Sequence, residues 1–538
     1  MNNSFFLKKL VVFFTELVVV FLMVLNIIPR DFGLFLTGLL IFYFIFSPLV
    51  DSLWIFIASI PLFIALPISQ DFDSMANWRI LLSVLFLVMI FRQGISIKSI
   101  RDFIEKYRFK KNLNFCQIEC LSCIFLAIGG LSLFVASDFI IGFKKLLFLI
   151  NIFLLYIIIK KLIAKNKKVV FTIINASKTA IGLVLVVGFI QLLSTFFVSL
   201  HLFWKFWARY VISVFYGNDL SQLLSYSNTW FSYHSYQPST LRIFSIFPDS
   251  HSFAFFCILS LSFFLTIIFW RPKISKKKLF VFYFLLSACL LNIIFSGSRG
   301  SWVSAFCSLI LFLFIILFFY SPTIRSFTDF FIPKYPKKYW KQIQLILGCI
   351  IIFFLLFPIS SSVLLFSQRA QFDKFDPNNF SLFERARSII DFSEKSVKSR
   401  LQIWQKTGES IIRNPVLGVG IGNYPKVLNE DISSVKRGAS AHNLYLDVAS
   451  EMGIFALLVL LAIFWLIFKD AWYIFTKVKP SFLQVWSGFF ILALFWILGY
   501  SLFDVVLLND KVLLFFIVNL GILYAAKISI GFNKSSRL

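Results

Sequence analysis

Acidic residues are scarce in this chain: 25 Asp and Glu stand against 52 Lys and Arg, and the four types together reach only 14%. Soluble domains carry about 25% charged residues, so the shortage excludes one large solvated globule. Histidine is scarcer still, at positions 201, 234, 251 and 442, and no His/Asp/Glu group has metal-ligand spacing. The seven cysteines (Cys116, Cys120, Cys123, Cys257, Cys289, Cys307 and Cys349) all sit within or beside apolar segments. Cys116, Cys120 and Cys123 share a helix face, but no second cluster or nearby histidine completes a site, so they read as small packing residues. None lies in a connection assigned below to the outer face, and no disulfide framework is expected. The alternating ten-residue segments of a β-barrel are missing. So is the internal repeat of an inverted-repeat transporter.

What is present is apolar. Of 538 residues 59% are hydrophobic, with 73 Phe and a mean hydropathy of +0.86. A globular domain is about 45–50% apolar, so the excess belongs to a membrane solvent. Runs approaching the roughly 20 residues of a crossing helix recur near 10–28, 32–48, 52–67, 79–91, 115–135, 146–163, 169–200, 251–270, 279–296, 301–320, 343–366, 444–468, 482–503 and 511–531. The expected fold is all-α: a polytopic integral membrane helix bundle of about 12–14 transmembrane helices. The N-terminal run after Lys8 and Lys9 lacks a small-x-small cleavage site and reads as a retained first helix.

The net charge of +27 is placed rather than spread. Alternating the spans from a cytoplasmic N-terminus puts 92–114, 160–168, 271–278, 334–341 and 469–479 inside, and each is rich in Lys and Arg. The connections 69–78, 137–142 and 502–510 fall outside and are neutral or acidic. This is the positive-inside pattern, with both termini inside. The basic residues therefore serve topology and membrane lipids, and no nucleic-acid partner is expected. Two outer connections are long, 201–250 and 367–443, and long structured loops are usually functional. The second is a large folded external, periplasmic-side loop between the eleventh and twelfth spans. In it Leu401, Trp404, Ile411 and Ile412 recur at helical spacing before Pro415 stops the helix.

Candidate chemistry gathers on that face. Arg299, between Ser298 and Gly300 in a tight turn, suits an anionic headgroup or an interface-snorkelling role. Arg242 precedes Pro248, Asp249 and His251, where Asp249 or Ser250 can cap the next helix. Arg400 opens the amphipathic loop helix and reads equally as a solvated charge. His442 sits just above a helix start and can act as a base near neutral pH. Asn443 can cap that helix, with Glu451 facing a neighbour two turns on. The glycines of GVGIGNY (418–424) do not form a dinucleotide fingerprint, and a compact turn is the better reading. Glu16, Glu119 and Lys178 lie in or near apolar spans without forming a relay.

Five separated pieces then fall in order: R-x-x-x-x-F-x-x-S from Arg242, S-R-G-S-W at Ser298–Trp302, R-x-x-x-W at Arg400–Trp404, N-P-x-x-G-x-G-x-G-N-Y at Asn414–Tyr424, and A-H-N-x-Y-L-x-x-x-x-E-x-G at Ala441–Gly453. In these motifs and in its architecture the chain resembles the O-antigen ligase and Wzy-type polymerase family of bacterial membrane glycosyltransferases. It departs in having Pro-Asp-Ser where the family often has a Pro-Asn-like turn, and in a longer 201–241 loop. The resemblance implies transfer without metal or other cofactor. The donor would be an undecaprenyl-diphosphate-linked glycan and the acceptor a glycan, lipid or protein, at the bacterial cytoplasmic (inner) membrane. It implies His442 as general base, Arg299, Arg400 and Arg242 on the donor diphosphate, and Asn443, Glu451, Ser298, Gly300, Trp404, Tyr445 and His251 in support. Residues 1–240 would form N-terminal spans plus the first loop, 241–468 the ligase-like core, and 469–538 the C-terminal spans. The alternatives are a polymerase joining lipid-linked repeat units and, in another class, a lipid-linked glycan flippase, which predicts polar residues lining the membrane interior.

Overall fold

A computed structural model describes residues 3–69, 73–92, 118–225, 230–234, 237–270, 275–319, 348–356, 395–428, 440–477 and 481–535. They are overwhelmingly helical, and two small two-stranded hairpins are their only sheets. Among the described residues six helices are long and apolar enough to cross a membrane: Ile118–Val135, Phe139–Lys165, Val169–Phe197, Ser250–Trp270, Ile454–Thr476 and Phe482–Tyr500. Shorter apolar helices cover Phe32–Phe46, Leu49–Ala58, Leu279–Phe295 and Arg299–Phe312. Of the span expected at 343–366 only 348–356 is described, as helix, and much of the 367–443 loop falls outside the described residues.

The Ser250–Trp270 helix is the axis of the bundle. It is 94% buried and packs against Lys276–Phe295, Phe482–Tyr500 and Asp510–Ser535. Its small polar residues cost little there, because Ser260, Ser262 and Thr266 return their hydroxyls to carbonyls of their own helix. Large aromatic side chains such as Phe35, Phe42, Phe91, Phe134 and Phe197 instead point outward, as expected where the surrounding solvent is hydrocarbon.

Connections that the charge pattern assigns to one face meet each other in space. Arg30 pairs with Asp73 at 2.9 Å, and the same carboxylate takes the Asn218 N–H at 2.7 Å. Near the other end Lys9 meets Asp51 at 3.3 Å and Lys527 meets Asp470 at 2.8 Å.

Three expectations need correction. The run 52–67 is not one helix: Leu49–Ala58 stops, and the chain continues through a 3-10 turn at Ile60–Leu62 into a hairpin pairing Ala65 with Ala76. Pro61, which has no N–H to donate, stands at that break. The run 444–468 is also divided, into Leu444–Met452 and Ile454–Lys477, because Gly453 adopts φ +85°. In the 201–250 loop, expected to be structured, the described residues form short helices and a hairpin with buried Trp207, Trp230, Phe244 and Phe247. Finally, Arg400 does not open the loop helix, which begins at Lys395 and runs to Arg413.

Candidate functional site

One wall of the site is the turn between two membrane helices. Gly297 takes φ +65°, and Ser298 follows as the cap of the Arg299–Phe319 helix, accepting the Ser301 N–H at 3.4 Å. The Arg242 side chain lies over Gly297, where an added β-carbon would stand 3.4 Å from Arg242 Cγ. The Arg242 backbone is held by the Trp230 carbonyl at 2.8 Å. Gly300 is required for close packing, since a β-carbon there would come within 2.9 Å of Phe503. Arg299, the first residue of its helix, is half-buried beside this turn.

The floor is the first turn of the Ser250–Trp270 helix. Asp249 caps it by taking the Ser252 N–H and hydroxyl, both at 2.7 Å. His251 then projects its Nδ1 toward Tyr500 Oη at 2.7 Å and Ser298 Oγ at 3.1 Å, with the two hydroxyls 2.5 Å apart. Its Nε2 stands 3.9 Å from Asp504. Burial pushes Asp249 up to about 6, with the Asp504 charge adding to it. Burial likewise pushes Asp504 up to about 6, against the Val505 N–H and the charge of Arg400.

The opposite wall comes from the polar loop. Trp404 donates its indole N–H to the Ala441 carbonyl at 3.0 Å, while Asp447 Oδ1 accepts the Ala441 N–H at 3.1 Å. His442 follows in the left-handed region at φ +47°, which residues with a β-carbon seldom adopt. Asn443 caps the Leu444–Met452 helix by accepting the Tyr445 and Leu446 N–H groups. Leu444 N–H binds the Ser501 carbonyl and the Tyr445 hydroxyl binds the Leu498 carbonyl, both at 2.9 Å, so this helix is docked on the membrane bundle. His442 Nδ1 is buried and has no hydrogen-bond partner among the described residues. Burial, reinforced by the Arg400 charge and opposed by Asp249, holds this imidazole below its ordinary range.

The glycine turn does fold back. Val419 and Gly420 N–H groups bind the Ser450 and Glu451 carbonyls at 2.8 and 3.0 Å. Asn423 accepts the Asp138 N–H at 2.7 Å and returns a bond to its carbonyl at 3.1 Å. The neighbour of Glu451 is Lys145, whose ammonium donates to it at 2.5 Å.

Arg242, Arg400 and His442, distant in sequence, therefore all lie within electrostatic reach of His251. Ser298 joins them by hydrogen bond and Trp404 through Ala441. Glu451 does not share this centre and instead faces Lys145 behind the loop. Sequence reasoning missed Tyr500, Asp504 and Lys145. Asp504 leaves a usable trace, one of two carboxylates (with Asp510) in the mostly apolar 502–510 turn; Tyr500 and Lys145 are indistinguishable from interface-seeking residues at span ends. The site brings the Arg242 and Arg400 guanidinium groups within reach of buried imidazoles, an arrangement that suits an anion on one side and a proton-bearing nucleophile on the other.

The fold is that of a helical membrane protein, with this polar cluster at one end of its bundle. Residues 282–461 match the family model for O-antigen ligase, Wzy_C. That segment contains Ser298, Arg299, Arg400, His442 and Glu451 and stops short of Arg242 and His251. The chain thus carries a domain of the O-antigen ligase/Wzy-type family. No curated protein matches it.

Proposed function

We propose that this protein is a glycosyltransferase that moves a glycan from an undecaprenyl-diphosphate-linked donor to an acceptor hydroxyl. Catalysis takes place at the outer face of the bacterial inner membrane. The observation that carries this reading is His442, a neutral imidazole with an unpartnered buried nitrogen set beside Arg400. The acceptor oxygen attacks the anomeric carbon, the bond to the diphosphate oxygen breaks, and His442 takes the acceptor proton. Negative charge grows on the departing diphosphate, and Arg242, Arg299 and Arg400 receive it. Guanidinium forks bind phosphate oxygens in pairs and act strongly in a water-poor recess. Because these groups supply the countercharge themselves, the proposed reaction runs without a metal.

His251, Ser298 and Tyr500 form a rigid hydroxyl and imidazole floor for the sugar. The bundle's outward Phe side chains offer an apolar surface along which a polyprenyl tail lies. Termini inside and the 395–453 region outside complete the arrangement. The acceptor separates a ligase from a polymerase. Purified protein supplied with lipid-linked donor and one acceptor at a time gives the answer. Attachment to a lipid or protein acceptor supports the ligase reading, lengthened lipid-linked glycan supports the polymerase reading, and no product with any acceptor defeats both.

A further inference from the structure

Behind the site, a charge cluster tied to the loop has no part in the chemistry above. Asp447 and Glu451 are 4% and 3% exposed and stand one turn apart on the Leu444–Met452 helix. Like charges at this spacing repel, and burying both without a cation is costly. The cation comes from another element. Lys145, on the Phe139–Lys165 helix, places its ammonium 2.5 Å from Glu451 and 3.9 Å from Asp447.

The cluster connects forward to the reacting imidazole. Asp447 Oδ1 accepts the Ala441 N–H at 3.1 Å, and Ala441 precedes His442. His442 holds φ +47°, a conformation that persists only when its surroundings over-determine it. Its anchors are Ala441 on one side, gripped by Asp447 and Trp404, and the Asn443 cap on the other. Glu451 adds a second tie, since its carbonyl accepts the Gly420 N–H at 3.0 Å from the glycine turn.

We propose that Lys145 is a positioning residue for glycan transfer: it holds the Asp447/Glu451 pair in place, and Asp447 in turn holds the backbone that presents His442. This rests on the transferase reading above. Burial first, then the charge of Glu451, pushes Asp447 up to about 7, and Lys145 opposes both. Without the ammonium the pair takes up a proton, and a carboxylic acid accepts the Ala441 N–H less well than a carboxylate does. The backbone at His442 then relaxes from its strained setting.

Steady-state transfer by purified full-length protein tests this. Lys145→Met lowers kcat about 10–100-fold, the scale of a misplacement near 1 Å, while donor KM stays within about twofold. Lys145→Arg restores kcat to within about threefold of the parent, and Lys145→Met with Asp447→Ala is no worse than the poorer single variant, the mark of groups acting through one another. Full kcat in Lys145→Met, no recovery with arginine, or additive losses overturns the proposal. If Lys145→Met fails to insert, Lys145→Met/Glu451→Gln keeps the net charge of the cluster. It should insert with reduced kcat at unchanged donor KM, and full kcat in that pair is the overturning result. Parent protein that transfers no glycan defeats the transferase reading itself, whereas normal transfer by both parent and Lys145→Met defeats this proposal alone.

Discussion

At the scale of single residues, the account turns on how His442 keeps its proton acceptor free. The imidazole must be neutral to take a proton, and its surroundings hold it below the ordinary value of 6.5. Transfer therefore persists into mildly acidic solution and declines only as pH falls through that lowered value. Arg400→Gln removes the cation that disfavours the imidazolium, so the acidic limb of kcat against pH moves upward. Asp249→Asn removes the opposing charge but preserves the helix cap, so the same limb moves downward. Both profiles come from one assay, and a limb that stays fixed in Arg400→Gln contradicts the assigned pairing. Histidine scarcity made His442 visible in the sequence. Its left-handed backbone and its approach to His251 were invisible there, because spacing reveals neither the Trp404 and Asp447 contacts at Ala441 nor the packing against the Ser250–Trp270 helix.

At the scale of elements, the glycine turn at 418–422 determines whether the loop is a docked wall or a tether. Gly420 has φ +99°, and a β-carbon there would stand 2.4 Å from Ala136 Cα. Gly420→Ala should therefore destabilise the docking by about 1–3 kcal/mol, seen as faster proteolysis between Arg413 and Ala441 and a matching loss of transfer. Undiminished protection would show that the turn does not hold the loop. The motif spacing already implied a turn, and Pro415 already implied the end of the helix before it. The break at Gly453 was harder to read: Leu444 to Phe468 is apolar enough to pass for one span. Only the buried Asp447 and Glu451 mark its first turns as something other than lipid-facing. A similar masking hid the break after Ala58, where hydrophobic sequence continues through a 3-10 turn and a strand. Hydropathy reports the solvent around a segment, not its backbone geometry, so it recovers the bundle and misses its interruptions.

At the scale of the whole molecule, connections that the distribution of Lys and Arg assigns to one face meet in space, as Arg30, Asp73 and Asn218 do. The alternation rule needed only short basic segments for that grouping, and the proposed orientation rests on the positive-inside pattern alone. The length of 201–250 marked a structured loop but not its packing, in which Trp207 and Trp230 meet Phe244 across the segment. Orientation is checked with Gln405→Cys, on the exposed side of the Lys395–Arg413 helix. In intact cells this thiol reacts with a membrane-impermeant reagent under the proposed topology, and labelling only after lysis reverses it.

The central claim is that one imidazole, set in a cationic recess, removes the proton from the acceptor. Its most direct measurement is single-turnover transfer by purified His442→Ala, with insertion and donor binding followed in the same preparation. The account predicts donor binding close to that of the parent and a rate of transfer lower by about 10²–10⁴-fold. Transfer at the parent rate, with the donor equally bound, would contradict it.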